Sequence, residues 1–511
     1  MTTPPHTGDD NAIAPDDDKL DAAVFKIAGV VVLGAIMAIL DMTVVSVALP
    51  TFQTVFETSY AIAAWTMTGY TLALATVIPL TGWAADRFGT KRLYILALVL
   101  FILGSVLCSF AWDIQSLIAF RVIQGLGGGM LMPLGMTIMT HAAGPHRVGR
   151  VMAVLGVPML LGPISGPILG GWLIEAASWH WIFLINVPIG IIALAAAFIL
   201  LPNDDPTPSE SFDFIGMLLL SPGLALFLFG VSSIPEMGTI ASARVLVSAA
   251  IGLALVIAFV FHALQAKHPL IDLHLFRNRT LTIAVISSTL FAIAFFGAGL
   301  LFPSYFLQVR GETTLTAGLL LAPQGLGAML TMPVSGKLVD KIGPGKVVLV
   351  GITLIAVAMA VFTQVSSSSS YVLLLGALFV MGLGMGATMM PLMTAALQTL
   401  THAEVARGST LMNIIQQIAG SIGTATMSVV LTNMIKDREL AGAAIGSLSN
   451  PEIAGQLPPG ALETGFAQAG DAFGNTFLVA LVLIVLTLIP AFFLPRTKAP
   501  APEGAPPVIV H

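Results

Sequence analysis

Charge is what this chain has least of. Only 9% of its 511 residues are Asp, Glu, Lys or Arg, against roughly 25% in an ordinary soluble protein. With 56% hydrophobic residues and a mean hydropathy of +0.95, the chain cannot assemble the polar exterior that a soluble globule requires, so apolar surface must face lipid. Cysteine is almost missing too. The single Cys108 excludes an intramolecular disulfide framework, and its apolar surroundings read as those of a small buried hydrophobe. The nine histidines show no zinc-ligand spacing. No G-x-x-x-x-G-K-[ST] loop occurs, which excludes an ATP-hydrolysing engine of that type. No basic cluster interleaved with aromatics accompanies the small net charge of −5, so nucleic acid is not an expected partner.

What the chain does have is long apolar runs. Runs long enough to span a bilayer recur at approximately 25–49, 61–84, 91–110, 114–140, 149–174, 181–201, 212–233, 242–264, 281–306, 315–339, 346–364, 370–398, 407–434 and 473–494, which predicts an all-α membrane protein of fourteen transmembrane helices. Residues 1–24 are polar and acidic, lack the basic start of a cleavable signal peptide, and read as a disordered tail. Residues 435–472 read as a long Gly/Pro/polar outer loop, and 496–511 as a second unstructured tail. Most of the 21 Lys and Arg residues fall in the tails and even-numbered connectors, while Arg244, Arg310, Lys436 and Arg438 fall on the opposite side. That bias predicts that both termini are cytoplasmic. Arg121 falls in neither set, because it lies inside a helix.

One internal repeat stands out. Gly82-Trp83-Ala84-Ala85-Asp86-Arg87-Phe88-Gly89-Thr90-Lys91-Arg92 recurs loosely as Gly336-Lys337-Leu338-Val339-Asp340-Lys341-Ile342-Gly343-Pro344-Gly345-Lys346. Each copy follows the second helix of a six-helix set. The expected organisation is therefore an N-terminal bundle at 25–201, two inserted helices with linkers at 202–280, and a C-terminal bundle at 281–495. Two related halves around a midplane cavity are a transporter architecture.

Further motifs fall on particular helices. The first helix carries Leu40-Asp41-Met42-Thr43-Val44-Val45-Ser46-Val47-Ala48-Leu49-Pro50, and the fourth carries Arg121-Val122-Ile123-Gln124-Gly125-Leu126-Gly127. The fifth carries Gly162-Pro163-Ile164-Ser165-Gly166-Pro167-Ile168-Leu169-Gly170-Gly171, and the sixth begins Trp179-His180-Trp181-Ile182-Phe183-Leu184-Ile185-Asn186-Val187-Pro188-Ile189-Gly190. Together with the 82–92 segment, these resemble the signatures of the major facilitator superfamily, in particular its fourteen-helix drug:proton antiporter branch of quaternary-ammonium and emodin resistance exporters. Ser46 stands where that branch usually has Asn, and His180 where it has Arg. The resemblance implies two six-helix bundles plus two inserted helices. It also implies transport rather than enzymatic chemistry, a proton gradient in place of any cofactor, a plasma-membrane location, and no required protein partner. In the family, Gly82, Asp86, Arg87, Gly89, Lys91 and Arg92 would form a gating loop; the residues alone read equally as a polar turn that follows the charge bias. Gly162, Pro163, Gly166, Pro167, Gly170 and Gly171 would form the antiporter motif, a bend that accompanies export; the glycines alone read as a packing stripe.

Within the apolar runs, ionisable groups reduce to Asp41 and Arg121. A charge at that depth is costly and usually functional. Counting along both helices places the two groups at similar depth. One reading has Asp41 binding a proton or a cationic substrate while Arg121 biases its charge state; the other has a permanent ion pair holding the first helix to the fourth. Gln124, one turn beyond Arg121, is a hydrogen-bonding candidate. The C-terminal half adds soft and polar candidates for a substrate cavity: Phe295, Tyr305, Gln308, Gln324, Met385, Asn413, Gln416 and Gln417. Helix 10 has no carboxylate, whereas some relatives in the resembling family that export divalent organic cations place an acid there, so the resemblance disfavours that substrate class. The expected activity is proton-coupled export of lipophilic small molecules. Export of one endogenous metabolite or lipid is the alternative, and a non-transporting sensor or scaffold a more distant one.

Overall fold

A computed structural model describes residues 22–58, 60–143, 148–203, 212–237, 241–401, 404–449 and 457–496. The chain is built from α1 (Ala22–Val55), α2 (Tyr60–Phe88), α3 (Thr90–Ser109), α4 (Ile114–Ala143), α5 (Val148–Ala176), α6 (Trp181–Leu184 continuing as Asn186–Leu200) and α7 (Phe214–Ser232). There follow α8 (Ala243–Gln265), α9 (Arg279–Gln308), α10 (Thr314–Leu320 continuing as Ala322–Ile342), α11 (Pro344–Phe362), α12 (Tyr371–Gly386 continuing as Met389–Leu397), α13 (Val405–Lys436) and α14 (Ala461–Ala491). Twelve of these are long and apolar enough, over described residues, to cross a membrane. The other two, α2 and α5, have 29 residues each, or about 43 Å of helix. Helices suit this environment because each satisfies its own backbone hydrogen bonds where lipid offers no partner.

Some helix starts use short polar caps. The Ser116 backbone N–H donates to Asp113 Oδ1 at 2.7 Å at the start of α4, and these bonds with Ser116 hold the Asp113 carboxyl below the usual carboxylate range. Asn278 accepts from the Thr280 and Leu281 N–H groups at 3.0 and 3.2 Å to begin α9. Two boundaries differ from the sequence expectation. The predicted outer loop 435–472 holds a helix at Ala441–Ser449, packed on α14, and α14 itself begins at Ala461 rather than near residue 473. Hydropathy locates only the lipid-crossing part of a helix, and Ala461–Ala472 is too polar to register while still propagating a helix already nucleated beyond it.

Packing follows one scheme used twice. In α1–α6, α1 lies on α5 while α4 packs between α2 and α3; eight helices later, α9 lies on α13 while α12 packs between α10 and α11. The two sets meet through α2 against α13 and α5 against α10, contacts that this correspondence exchanges. Small residues allow the close approach. A Cβ on Gly127 of α4 would stand 2.5 Å from the Phe101 nitrogen of α3, and one on Gly384 of α12 would stand 2.5 Å from the Gly351 oxygen of α11. The inserted α7 and α8 pack on each other, and α7 also leans on α2 and α13, tied to α2 by Ser221 Oγ donating to the Thr76 carbonyl at 2.8 Å.

The sequence repeat is also a backbone repeat. Gly89 has φ 90 and ψ 149, Gly343 has φ 83 and ψ 156, and each stands directly before the next helix. Only glycine adopts that region without strain. Behind the first turn, Lys91 Nζ donates to the Leu201 carbonyl at the end of α6 at 2.8 Å; behind the second, the Gly345 N–H donates to the Pro495 carbonyl after α14, also at 2.8 Å. Gly89→Ala and Gly343→Ala are each expected to cost about 1–3 kcal/mol of stability. Thermal unfolding in detergent measures this, with Gly299→Ala as the control, since no atom lies within 4 Å of its added Cβ.

Candidate functional site

Asp41 and Arg121 meet directly. Arg121 Nη1 forms an ion pair with Asp41 Oδ2, and both side chains have 0% exposure. The pair is embedded in neutral donors: Gln124 Nε2 and Asn186 Nδ2 donate to Asp41 Oδ1 at 2.7 and 2.9 Å. Gln124 Nε2 also reaches Ser105 Oγ at 2.7 Å, while its Oε1 accepts from Arg121 Nη1 at 2.5 Å. Arg121 Nε donates to the Thr66 carbonyl of α2 at 3.0 Å. Five helices, α1, α2, α3, α4 and α6, thus converge on one carboxylate and one guanidinium. Such convergence offsets the desolvation that isolated charges would suffer there.

One donor is left over. Arg121 Nη2 is buried without a hydrogen-bond partner. Aromatic faces cover the guanidinium instead, with its carbon 4.1 Å from the Tyr70 ring centroid and 5.9 Å from that of Phe183. Phe183 joins Phe52 and Trp179 in an apolar cluster where α1 ends and α6 begins. The negative ring face is a weak acceptor for a cation that has lost its water.

A cavity of about 570 Å³ lies between the two helix sets, lined by residues of α1, α2, α4, α7, α9 and α13. Its polar wall is a strip on α13: Asn413, Gln416, Gln417, Ser421 and Thr424. None of its lining side chains is ionisable except Tyr70. From α1 it takes Ala38, Ile39, Met42 and Thr43, and from α4 it takes Gly128, Gly129, Met132 and Pro133. Asp41 projects from another side of α1, and Arg121 and Gln124 lie one to two turns before the α4 wall. The charge pair therefore stands behind the cavity wall, and the described lining offers a cationic substrate no carboxylate.

The remaining predicted residues divide. Asn413, Gln416 and Gln417 do line the cavity; Gln124, Phe295, Tyr305, Gln308, Gln324 and Met385 do not. Gln124 is used up inside the ion-pair network. Phe295 stacks on Phe291 at 5.2 Å, leaving its neighbour Phe296 to face the cavity. Tyr305 Oη donates to the Ser366 carbonyl at 2.6 Å, beside the end of α9 where Gln308 stands. Gln324 meets α12, its carbonyl 1.9 Å from where a Gly382 Cβ would stand, and Met385 is buried in the core of that helix. In the antiporter motif, Gly162, Gly166 and Gly170 receive α1: an added Cβ would stand 2.1 Å from Ile39, 2.0 Å from Thr43 and 3.2 Å from Val44 respectively, while Gly171 faces open space. The Pro163 and Pro167 side chains lie outside the described residues. In the loop motif, Gly82 ends up buried, Arg87 and Arg92 exposed, and Asp86 Oδ2 lies 3.4 Å from Arg407 Nε at the start of α13. Close by, Ser409 and Thr137 share a hydroxyl hydrogen bond at 3.0 Å. These contacts join the helix sets on the side of the cavity where α2 ends.

Sequence reasoning missed Asn186, Ser105 and Tyr70. Asn186 sits inside the quoted sixth-helix motif and had a visible signal, being an amide in an apolar helix. Ser105 and Tyr70 had none.

A profile of the Major Facilitator Superfamily matches residues 31–424. The chain is 51% identical over 496 residues to a "Multidrug resistance protein B homolog" of Mycobacterium tuberculosis, covering 94% of this chain and 92% of that protein. It is 32% identical over 405 residues to "Multidrug export protein EmrB" of Haemophilus influenzae, covering 78% of this chain and 79% of that one. Among solved structures, the fold resembles the human organic anion transporter MFSD10, with TM-score 0.61, 15% identity and coverage of 90% and 99%. It also resembles a double-tryptophan mutant of XylE, with TM-score 0.59, 16% identity and coverage of 94% and 97%.

Because Asp41 has no other cation within its bonded shell, Arg121→Ala strands a buried carboxylate and is expected to cost about 3–5 kcal/mol. Arg121→Lys recovers only part of this, since an ammonium cannot bridge Asp41, Gln124 and Thr66 at once. The double variant Arg121→Leu/Asp41→Leu is expected to unfold at a higher temperature than Arg121→Ala in detergent; an equal or lower midpoint contradicts this account.

Proposed function

Because the chain belongs to the Major Facilitator Superfamily, we propose that this multi-pass membrane transporter exports lipophilic, uncharged or zwitterionic small molecules across the plasma membrane in exchange for protons. The observation that carries the reading is the division of the interior into an apolar cavity with an amide strip and a sealed carboxylate–guanidinium pair behind it. The multidrug-resistance names of the relatives support drug efflux, and the Lys/Arg bias supports cytoplasmic termini.

A ligand would bind by burying apolar area against Met42, Leu74, Met132 and Phe296 while its polar groups meet Asn413, Gln416 and Gln417. No lining charge has to be desolvated, so a ligand without net charge fits at least cost. Asp41 would carry the proton. On protonation the charge–charge attraction to Arg121 disappears and one carboxylate oxygen becomes a donor, so the contacts joining five helices must rearrange. Loss of the proton restores them. This converts a proton into a packing change, the coupling that alternating access needs. The two six-helix halves would rock about the cavity, with the Asp86–Arg407 contact latching one access state.

The test is gradient-driven uptake of norfloxacin, a fluorescent zwitterion, into inverted vesicles. A protonophore is expected to abolish uptake, and Asp41→Asn to lower it at least tenfold with the protein still folded. Protonophore-insensitive uptake sinks antiport, and full activity of Asp41→Asn sinks the site. A divalent organic cation such as pentamidine is expected to be transported poorly. For the latch, Asp86→Arg or Arg407→Asp alone should depress uptake, and the combined charge swap should recover much of it; no recovery means that the pair does not act as a latch.

A further inference from the structure

The proposed function leaves a gap. The cavity and the ion pair occupy different sides of α1 and different depths along α4, so a ligand in the first does not touch the second. Tyr70 both lines the cavity and lays its ring on the Arg121 guanidinium. Its ring is the cover over a guanidinium whose Nη2 has no hydrogen-bond partner.

The position of Tyr70 is built. It is 1% exposed, and α4 makes room for it with glycines one turn apart. A Cβ at Gly125 would stand 2.5 Å from the Tyr70 carbonyl oxygen, and one at Gly128 would stand 2.3 Å from the Tyr70 hydroxyl and 3.1 Å from its Cζ. The backbone and the ring tip are thus both set by the absence of side chains on α4. Thr66, one turn earlier on α2, presents its carbonyl to Arg121 Nε at 3.0 Å. One segment of α2 therefore holds the guanidinium through a backbone oxygen and a ring face, while its other surface borders the cavity.

We propose that Tyr70 is the positioning residue through which a ligand in the cavity acts on the Asp41–Arg121 pair. A ligand packed on the ring holds it against the guanidinium. Arg121 then keeps the cover of its unpaired donor and its arrangement against Asp41, so the carboxylate is held ionised and gives up its proton as the ligand binds. Conversely, protonation of Asp41 lets Arg121 and the ring move, which reshapes the cavity wall. A ligand shifts such an equilibrium only by what it gains differently in the two arrangements, and Tyr70 is where that difference is felt. The inference rests on the exporter reading for its proton step, but the contact it describes can be tested without transport.

The experiment uses the full chain and two readouts. In detergent, Asp41 modification by dicyclohexylcarbodiimide, which reacts with protonated buried carboxyls, is quantified by mass spectrometry with and without norfloxacin; in vesicles, norfloxacin-triggered proton movement is followed with a pH-sensitive dye. In the parent, norfloxacin should change the Asp41 labelling rate at least threefold. Tyr70→Leu, compared with the parent at norfloxacin concentrations that give equal occupancy, should label at a rate the drug no longer alters, and its drug-triggered proton movement should fall at least tenfold. Tyr70→Phe keeps the ring and should restore both responses, while Gly128→Ala, which displaces the ring without changing it, should behave like Tyr70→Leu. Drug-dependent labelling that persists in Tyr70→Leu overturns the inference, as does a parallel loss of binding and response in Tyr70→Leu that Tyr70→Phe fails to restore. If the parent shows drug-dependent labelling without proton movement, the antiport reading fails and the Tyr70 contact stands.

Discussion

A charge that has left water must find its solvent in the protein, and the structure around Asp41 and Arg121 is arranged to meet that demand. In lipid there is no bulk dielectric to fall back on. The carboxylate consequently collects a guanidinium and two side-chain amides, and the guanidinium collects a carboxylate, an amide oxygen, a backbone carbonyl and an aromatic face. These partners come from α1, α2, α4 and α6. The order of α1, α2, α3, α4 and α6 around one another is thereby tied to a single pair of charges, and any change in that pair's ionisation is a change in what holds five helices together. A buried ion pair need not add stability relative to a well-packed apolar alternative. Its retention here makes sense as a means of coupling ionisation to packing.

That role requires stiff surroundings, since a soft bundle would absorb the rearrangement locally. The glycines at helix crossings provide the stiffness. Where Gly127 meets Phe101, and Gly384 meets Gly351, backbones approach to distances at which no Cβ fits. Dispersion contacts between such surfaces fall off steeply with separation, so these helices move as units. The Gly162, Gly166 and Gly170 stripe does the same for α1 on α5, placing the helix that carries Asp41 against the helix that meets α10 of the second set. A rearrangement at Asp41 therefore reaches the boundary between the sets through rigid contact.

How far this could be read from the sequence depended on how rare each signal was. Asp41 and Arg121 were legible because ionisable residues within apolar runs are scarce, and counting along two helices put them at equal depth. The turns at Gly89 and Gly343 were legible because a repeated motif with a fixed glycine needs the same backbone twice. Cavity membership was legible only on α13, where Asn413, Gln416 and Gln417 share one helical face. Elsewhere it was not, because a helix apolar on every side carries no mark of which side meets lipid, which a neighbour and which an open space. Phe295 and Phe296 differ by one position and have opposite surroundings. Tyr70 was hidden for the same reason: its role comes from α4 having no side chains at Gly125 and Gly128, and a gap opposite a residue leaves no trace in that residue's own segment.

The separation of cavity from charge also bears on how one protein can accept varied ligands and still couple each to the same proton. Were Asp41 part of the cavity wall, every ligand would have to offer it a matching group, and coupling would depend on ligand chemistry. With the pair behind the wall, a ligand needs only to occupy volume and press on what lines it. Apolar side chains and amides that re-pack around different shapes serve that purpose, while the carboxylate meets the same partners whatever is bound. Breadth of recognition and constancy of coupling are then compatible because they are built on different sides of α1 and at different depths along α4, joined at the ring between them.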